Sequence, residues 1–173
     1  MTAVTFNITS IFRLAGLSRT LAISVFIPAS IVAIIVKLIS GYLCDHPFWR
    51  DRLKYQLSFY VAAVTIVCLA FILISYTAKA YYLLVVSLGI STGLYITLSS
   101  VAWGAFFGRL HVGRISAYAT SQAVFVASFG PVVYSILFGM TGSYHLGLYL
   151  SLAVALIILV ASFFADKPMA AYE

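Results

Sequence analysis

The longest stretch without a charged residue runs from Ile115 to Ala165 and contains no Asp, Glu, Lys or Arg. About 20 apolar residues are enough for a helix to cross the hydrocarbon core of a bilayer. Because the stretch is far longer than that, it predicts two crossings, and T-G-S-Y-H at 141–145 supplies the turn between them. A soluble fold is excluded, since 8% of the residues are charged, against about 25% in soluble domains.

The other charge-poor windows predict three further membrane spans. They cover about residues 20–43, 55–76 and 80–107, and the long stretch divides into spans at 115–140 and 146–165. We therefore expect an all-α membrane protein with five complete transmembrane helices.

Residues 1–18 are apolar but too short to cross the membrane. The part from Ala3 to Phe12 rises only about 15 Å as a helix, half of a hydrocarbon core that is about 30 Å thick. We interpret 1–18 as the end of a sixth helix and an outer loop, and we expect that Met1 is not the natural start of the protein. A cleavable signal peptide is not predicted, because a basic leader and a small-residue cleavage site are lacking.

The positive charges are distributed unevenly between the two sides of the predicted bundle. Six Lys and Arg residues and all four acids lie with the 44–54 loop, the 108–114 loop and the C-terminal tail, while Arg13, Arg19 and Lys79 lie opposite. Cytoplasmic loops carry an excess of Lys and Arg. We therefore expect an integral protein of a bacterial inner membrane with a cytoplasmic C-terminus. The net charge of +6 does not predict nucleic-acid binding, because the cations lie in short loops between spans.

The first complete span carries a charge at membrane depth. Lys37, Gly41 and Asp45 follow each other at intervals of four residues, which places them near one helical face. A lysine in hydrocarbon costs about 2.5–3.5 kcal/mol on insertion scales, so it is expected to face protein, water or the interface. A transport pathway would explain Lys37, and so would snorkelling of its ammonium towards the cytoplasmic interface.

Five stretches in order resemble the C-terminal half of a major facilitator superfamily transporter, in the branch of oxalate/formate antiporters and monocarboxylate carriers. The stretches are TFNITSIFRLAGLS (5–18), GYLCD (41–45), FFGRLHVGRIS (106–116), ASFGP (127–131) and TGSYH (141–145). The resemblance implies half of a two-part helical bundle over 1–173, with an N-terminal transporter half as the missing partner. It also implies transport of a small solute by alternating access, and the span order fits the inverted three-helix repeats of such proteins.

The resemblance implies roles for several residues. Lys37 matches a position that often holds an arginine paired with the substrate carboxylate, so it would bind a small organic anion as a point charge. Asp45 belongs to a loop motif whose contacts can hold the outward-facing state. His46 replaces the Arg or Lys of that motif, and an insertion precedes Arg50. Arg109 lies in the stretch that resembles the loop between helices ten and eleven. The resemblance assigns Gly41, Asp45, Arg50 and Arg109 to gating. For Arg50 the alternative role is only to set the membrane topology.

Further polar or flexible positions lie within the spans. Asn7 corresponds to a position that is often polar in this branch, and Gln122 lies mid-span, where it could face the cavity. Helix–helix contact is the alternative for each. Gly130 and Pro131 resemble a glycine-proline element, which can serve as a gating bend or a static kink. The G-x-x-x-G pattern at 89–93 predicts a close helix crossing.

Enzyme and metal-site patterns are not found in the sequence. The three histidines lie in three different loops, and Cys44 and Cys68 have no partner at metal or disulfide spacing. We therefore predict neither catalysis nor a cofactor or metal, and we expect a small-molecule solute, a carboxylate, and membrane lipid as partners. The alternative function is a short membrane protein that self-associates or binds another subunit without transporting anything.

Overall fold

A computed structural model describes residues 2–46, 53–107 and 111–164 of the chain. Every regular element in these ranges is a helix. The helices are α1 (Thr2–Phe6), α2 (Ile8–Leu14), α3 (Arg19–Ser24), α4 (Phe26–Asp45), α5 (Leu53–Ile74), α6 (Ala80–Phe107), α7 (Val112–Thr141) and α8 (His145–Phe164). Helices α3 and α4 together form one segment, Arg19–Asp45. With this segment included, five segments of the described chain are long and apolar enough to span a membrane. The predicted all-α membrane fold with five complete spans is confirmed.

The N-terminal segment forms two short helices that break at Asn7. The backbone of Asn7 leaves the helical region at φ −93° and ψ 10°. Its side-chain Nδ2 donates to the carbonyl of Ala3 at 3.0 Å, and its backbone N–H donates to the same oxygen at 3.3 Å. An Asn side chain that bonds to the preceding turn competes with the regular helical ladder, which accounts for the break. The segment is packed into the bundle, with four apolar side chains in the core: Val4, Ile8, Ile11 and Phe12.

The first span is interrupted close to Pro28. Proline has no N–H to donate to the carbonyl of Ser24, so one hydrogen bond of the helical ladder is lost there. Val25 still has helical angles, φ −56° and ψ −38°, so α3 and α4 run on as nearly one helix. The Ser24 hydroxyl lies 3.1 Å from the Tyr81 hydroxyl, which ties this interruption to the start of α6.

Helix α6 lies at the centre of the bundle, against α4 on one side and α5 on another, and α5 in turn packs against α8. The predicted G-x-x-x-G crossing is confirmed. A Cβ added at Gly89 would lie 2.6 Å from Cβ of Val32, and one added at Gly93 would lie 2.6 Å from the carbonyl oxygen of Ala33. Glycine is therefore required at both positions for α4 and α6 to approach this closely.

Helix α7 is the least enclosed span. Tyr134 is the only residue of α7 that is buried, and every residue of this helix is described. The helix crosses α1 at Gly130, where an added Cβ would lie 2.9 Å from Cβ of Ala3. It ends at Gly142, whose φ of +66° allows its N–H to bond to the carbonyl of Phe138 at 2.8 Å. The turn predicted at 141–145 is confirmed.

Candidate functional site

Helices α1, α5, α6 and α7 line an open cleft of about 330 Å³, which we call the hydroxyl cavity. Hydroxyl-bearing side chains make up six of its nine lining residues, and the other three are alanine or valine. The six are Thr2, Tyr60, Ser91, Thr92, Tyr95 and Thr120. A concave site with a few converging polar groups is typical of small-molecule binding sites in proteins.

The hydroxyls of this cavity differ in whether they are already satisfied. Ser91 and Thr92 both donate to the carbonyl of Leu88, at 3.0 and 2.8 Å. Within the described ranges, the hydroxyls of Tyr60, Tyr95 and Thr120 have no hydrogen-bond partner. The rings of Tyr60 and Tyr95 lie with their centroids 6.0 Å apart. A bound molecule would therefore meet three hydroxyls that can still donate a hydrogen bond.

A second surface, which we call the α7 groove, extends the hydroxyl cavity along one side of α7. All seven of its lining residues belong to α7, so it is an open helix face, and Ser116, Thr120, Ser121 and Ser128 supply its polar groups. Thr120 and Val124 line both the groove and the cavity, so the two are continuous. The three serines donate their protons to carbonyls one turn earlier in the helix, as Ser128 does to Phe125 at 2.7 Å, and their oxygens remain free to accept.

A third space, of about 410 Å³, lies between α5, α7 and α8 and is mainly apolar. Tyr60 lines this apolar cavity as well as the hydroxyl cavity, so it stands where the two spaces meet. The Tyr134 hydroxyl donates to the carbonyl of Gly147 at 3.0 Å and lies 2.7 Å from the Ser151 hydroxyl. The hydroxyls of Tyr134 and Ser151 in the apolar cavity are therefore already paired.

The predicted face of Lys37, Gly41 and Asp45 follows one edge of α4. At 100° per residue, Lys37 lies only about 40° from Ala33, which belongs to the stripe buried against α6. Lys37 is nevertheless exposed, as is Asp45, while Gly41 is half-buried. The Lys37 carbonyl accepts a hydrogen bond from Thr97 at 3.4 Å, and its ammonium has no carboxylate partner among the described residues.

The structure does not bring together the three residues predicted to bind substrate. Neither Lys37 nor Asn7 nor Gln122 is among the residues that line the hydroxyl cavity or the α7 groove. Gln122 is exposed, and it lies about 160° around α7 from Val124. Val124 is the residue near the centre of the side that lines the groove. The Asn7 side chain already donates to Ala3. These assignments to substrate binding therefore stay predictions.

The predicted gating residues are placed only in part. Gly130 and Pro131 lie where α7 crosses α1, and both are half-buried. Arg50 and Arg109 lie outside the described residues. The roles predicted for these residues and for Gly41 and Asp45 likewise stay predictions.

Sequence reasoning missed the residues that line the hydroxyl cavity. A usable signal was present, because tyrosines in membrane proteins concentrate at the interfaces, whereas Tyr60 and Tyr95 lie more than a turn inside their spans. Gln56 was also missed. It is 5% exposed, its Oε1 accepts from Ser40 at 3.2 Å and from Cys44 at 3.3 Å, and its Nε2 is buried without a partner in the described chain.

Fold and site together define a polytopic α-helical membrane protein with a hydroxyl-lined cavity between its helices. No family model, curated protein or solved structure matches this chain. Its function is therefore inferred from the chemistry of the site.

Proposed function

We propose that this chain forms one half of a secondary transporter of the major facilitator type, which moves a small organic anion by alternating access. The α7 groove carries the proposal. It presents four hydroxyl side chains along a 30-residue apolar helix and leads into the hydroxyl cavity. Three of these hydroxyls donate to their own helix, so they would be tolerated in lipid. What supports a solute pathway is that all four lie on the side of α7 that continues into the hydroxyl cavity, where their oxygens can accept from water or from a solute.

The exposure of α7 supports the idea that a second half completes the protein. A helix whose only buried residue is Tyr134 has little contact with its own bundle. In secondary transporters the solute site lies between two halves that rock against each other. A second half facing α7 would close the open side of the groove and turn it into such a site.

Lys37 supports the choice of an anion. Its ammonium has no carboxylate partner in the described chain, and its side chain is exposed. A cation at membrane depth is costly unless it meets water or an opposite charge. A carboxylate solute would supply that charge during transport.

The first experiment tests whether water fills the α7 groove. In a background with Cys44→Ala and Cys68→Ala, single cysteines are introduced at Ser121, Ser128 and Val126. The assembled transporter is reconstituted in liposomes and treated with a charged, water-soluble thiol reagent. We expect the two groove positions to react at least about tenfold faster, because a thiolate forms only where water reaches the sulfur.

Val126 is the matched control for this experiment. It lies two residues from Ser128, so its depth in the membrane is nearly the same, but it faces about 160° away and is well exposed. Equal reaction rates at Ser128 and Val126 would mean that the groove is not a water pathway, and the proposal would then be abandoned.

A second experiment tests the anion in the assembled transporter. Lys37→Ala should abolish carboxylate uptake, while Lys37→Arg should retain part of it, since arginine keeps the charge but has a different geometry. Unchanged uptake in both variants would remove the anion-binding role of Lys37.

A further inference from the structure

We propose that a pocket between the turns at one end of the bundle is a further binding site for the transported carboxylate, which the anion occupies before or after it crosses the membrane. The inference rests on the proposed function, because the site takes the same class of anion. The anion pairs with Lys37 at a different point on its path. Free hydrogen-bond donors, an unpaired buried nitrogen and nearby positive charges support the inference.

This space, which we call the turn pocket, lies where the α5–α6 turn and the α7–α8 turn meet the end of α2. Its volume is about 160 Å³, and its polar lining residues are Ser75, Ser143, Tyr144 and His145. One water needs about 10–15 Å³ of such space. The turn pocket therefore has room for a small carboxylate.

The hydroxyls of the turn pocket can donate hydrogen bonds. Within the described ranges, the hydroxyls of Ser75 and Tyr144 have no partner. The Ser143 hydroxyl oxygen accepts from the backbone N–H of His145 at 3.2 Å, so its own proton remains free to donate. A carboxylate only accepts hydrogen bonds, so it suits a pocket that offers free O–H donors.

His145 gives an independent indication of a ligand. Its Nδ1 is buried and has no partner among the described residues, and the same residue lines the turn pocket. Buried polar atoms in folded proteins are nearly always hydrogen-bonded, and an exception often marks the place of a water or an ion. A bound anion, directly or through one water, would supply the partner.

The charges at this end of the bundle favour an anion. Arg13 lies in the last turn of α2, Arg19 begins α3, and Lys79 directly precedes α6. Asp45, the only acid within the described ranges, ends α4 at the opposite end of the bundle. The turn pocket also adjoins the first turn of α8, which is the positive end of that helix dipole. Basic groups around a concave surface raise the local concentration of anions.

The test compares acetate with acetamide, which has nearly the same shape but no charge. The chain is reconstituted in phosphatidylcholine nanodiscs, and binding of each ligand at pH 7.5 is measured by saturation-transfer NMR against empty nanodiscs. We expect acetate to bind at least about tenfold more tightly than acetamide, since hydrogen bonds to a charged acceptor are stronger than those to a neutral one.

Matched variants locate the binding. Ser75→Ala and Ser143→Ala each remove one donor, so each should weaken acetate binding about tenfold, whereas Ser143→Thr keeps the hydroxyl and should retain the affinity. Ser135→Ala is the matched control, because Ser135 is an exposed serine of α7 that does not line the turn pocket. Its acetate affinity should equal that of the parent, and the far-UV circular dichroism of all variants should stay unchanged.

Two outcomes would overturn the inference in nanodiscs. The first is equal affinity for acetate and acetamide, or acetate binding that stays unchanged in both Ser75→Ala and Ser143→Ala. The second is acetate binding that is lost in Lys37→Ala alone, which would place the anion only at Lys37 and leave the proposed transport function standing.

The phosphate of a lipid headgroup could fill the same donors, so the measurement is repeated in maltoside micelles without phospholipid. Acetate should bind equally well in micelles and in nanodiscs. Binding in micelles alone would assign the turn pocket to lipid phosphate and overturn the inference. The thiol-reactivity experiment on α7 judges the proposed function separately from all of these results.

Discussion

Replacing Gly93 by alanine should force α4 and α6 apart. The new Cβ would lie 2.6 Å from the carbonyl oxygen of Ala33 and 2.9 Å from Cβ of Val36. Since ordinary van der Waals contact begins at 3.4 Å, the helices would have to separate by roughly 0.8 Å at this crossing. The oxygen belongs to the backbone, so no change of rotamer can relieve the clash.

The size of the effect follows from two opposing terms. Overpacking of a closely packed interior costs about 1–3 kcal/mol. Alanine in place of glycine within a helix returns up to about 1 kcal/mol through its better helix propensity. We therefore expect Gly93→Ala to lower the free energy of unfolding by about 1–2 kcal/mol, and the hydrogen bond from Thr97 to the Lys37 carbonyl, already 3.4 Å long, should be lost as well.

The measurement is unfolding by SDS titration in mixed micelles, followed by far-UV circular dichroism. Gly104→Ala is the matched control on the same helix, because among the described residues its Cβ would meet only a methyl of Val112, at 3.9 Å. The control should be as stable as the parent or slightly more stable. If Gly93→Ala unfolds at the same SDS fraction as Gly104→Ala, α4 and α6 do not cross at this glycine and the reasoning is refuted.

Three further substitutions test other contacts by the same titration. Gly130→Ala should lower the free energy of unfolding by about 1 kcal/mol through overpacking, and Ala3→Gly should restore it. Purely additive effects of the two substitutions would argue against the α1–α7 crossing. Tyr134→Phe should cost about 1 kcal/mol through the loss of its hydrogen bonds to α8, and an unchanged midpoint would contradict those bonds. Gly142→Ala should cost about 1 kcal/mol because φ is +66° there, whereas Gly142→Asn should cost less, and equal losses would count against the left-handed cap.

The spans could be predicted because a membrane imposes a length and tolerates few charges. The charge-free stretch that begins at Ile115 needs only a turn near its middle to form two spans. Gly142, which has a positive φ, provides that turn. The crossing at Gly89 and Gly93 was also predictable, since small residues one turn apart allow two helices to approach. The break at Asn7 was not predicted, because it depends on a side-chain hydrogen bond to Ala3 that competes with the helical ladder.

The candidate site could not be predicted in the same way. The sequence analysis chose Lys37, Asn7 and Gln122 because they are polar at membrane depth. The hydroxyl cavity is instead lined by two tyrosines, Tyr60 and Tyr95, and by serine and threonine residues. A serine or threonine in a helix can bond to its own backbone, so it is compatible with lipid, with a neighbouring helix and with a cavity alike. Its sequence position alone does not distinguish these surroundings.

By itself, the sequence determined the class of protein, the number of spans and the glycines at which α4 and α6 meet. These features depend on local composition, on length and on the absence of a side chain, all of which can be read along one chain. Only the tertiary structure decided which side of α7 adjoins the hydroxyl cavity, and that Thr120, Tyr60 and Tyr95 face one space. That choice depends on which neighbours fill the other sides of each helix, and those neighbours come from distant parts of the chain.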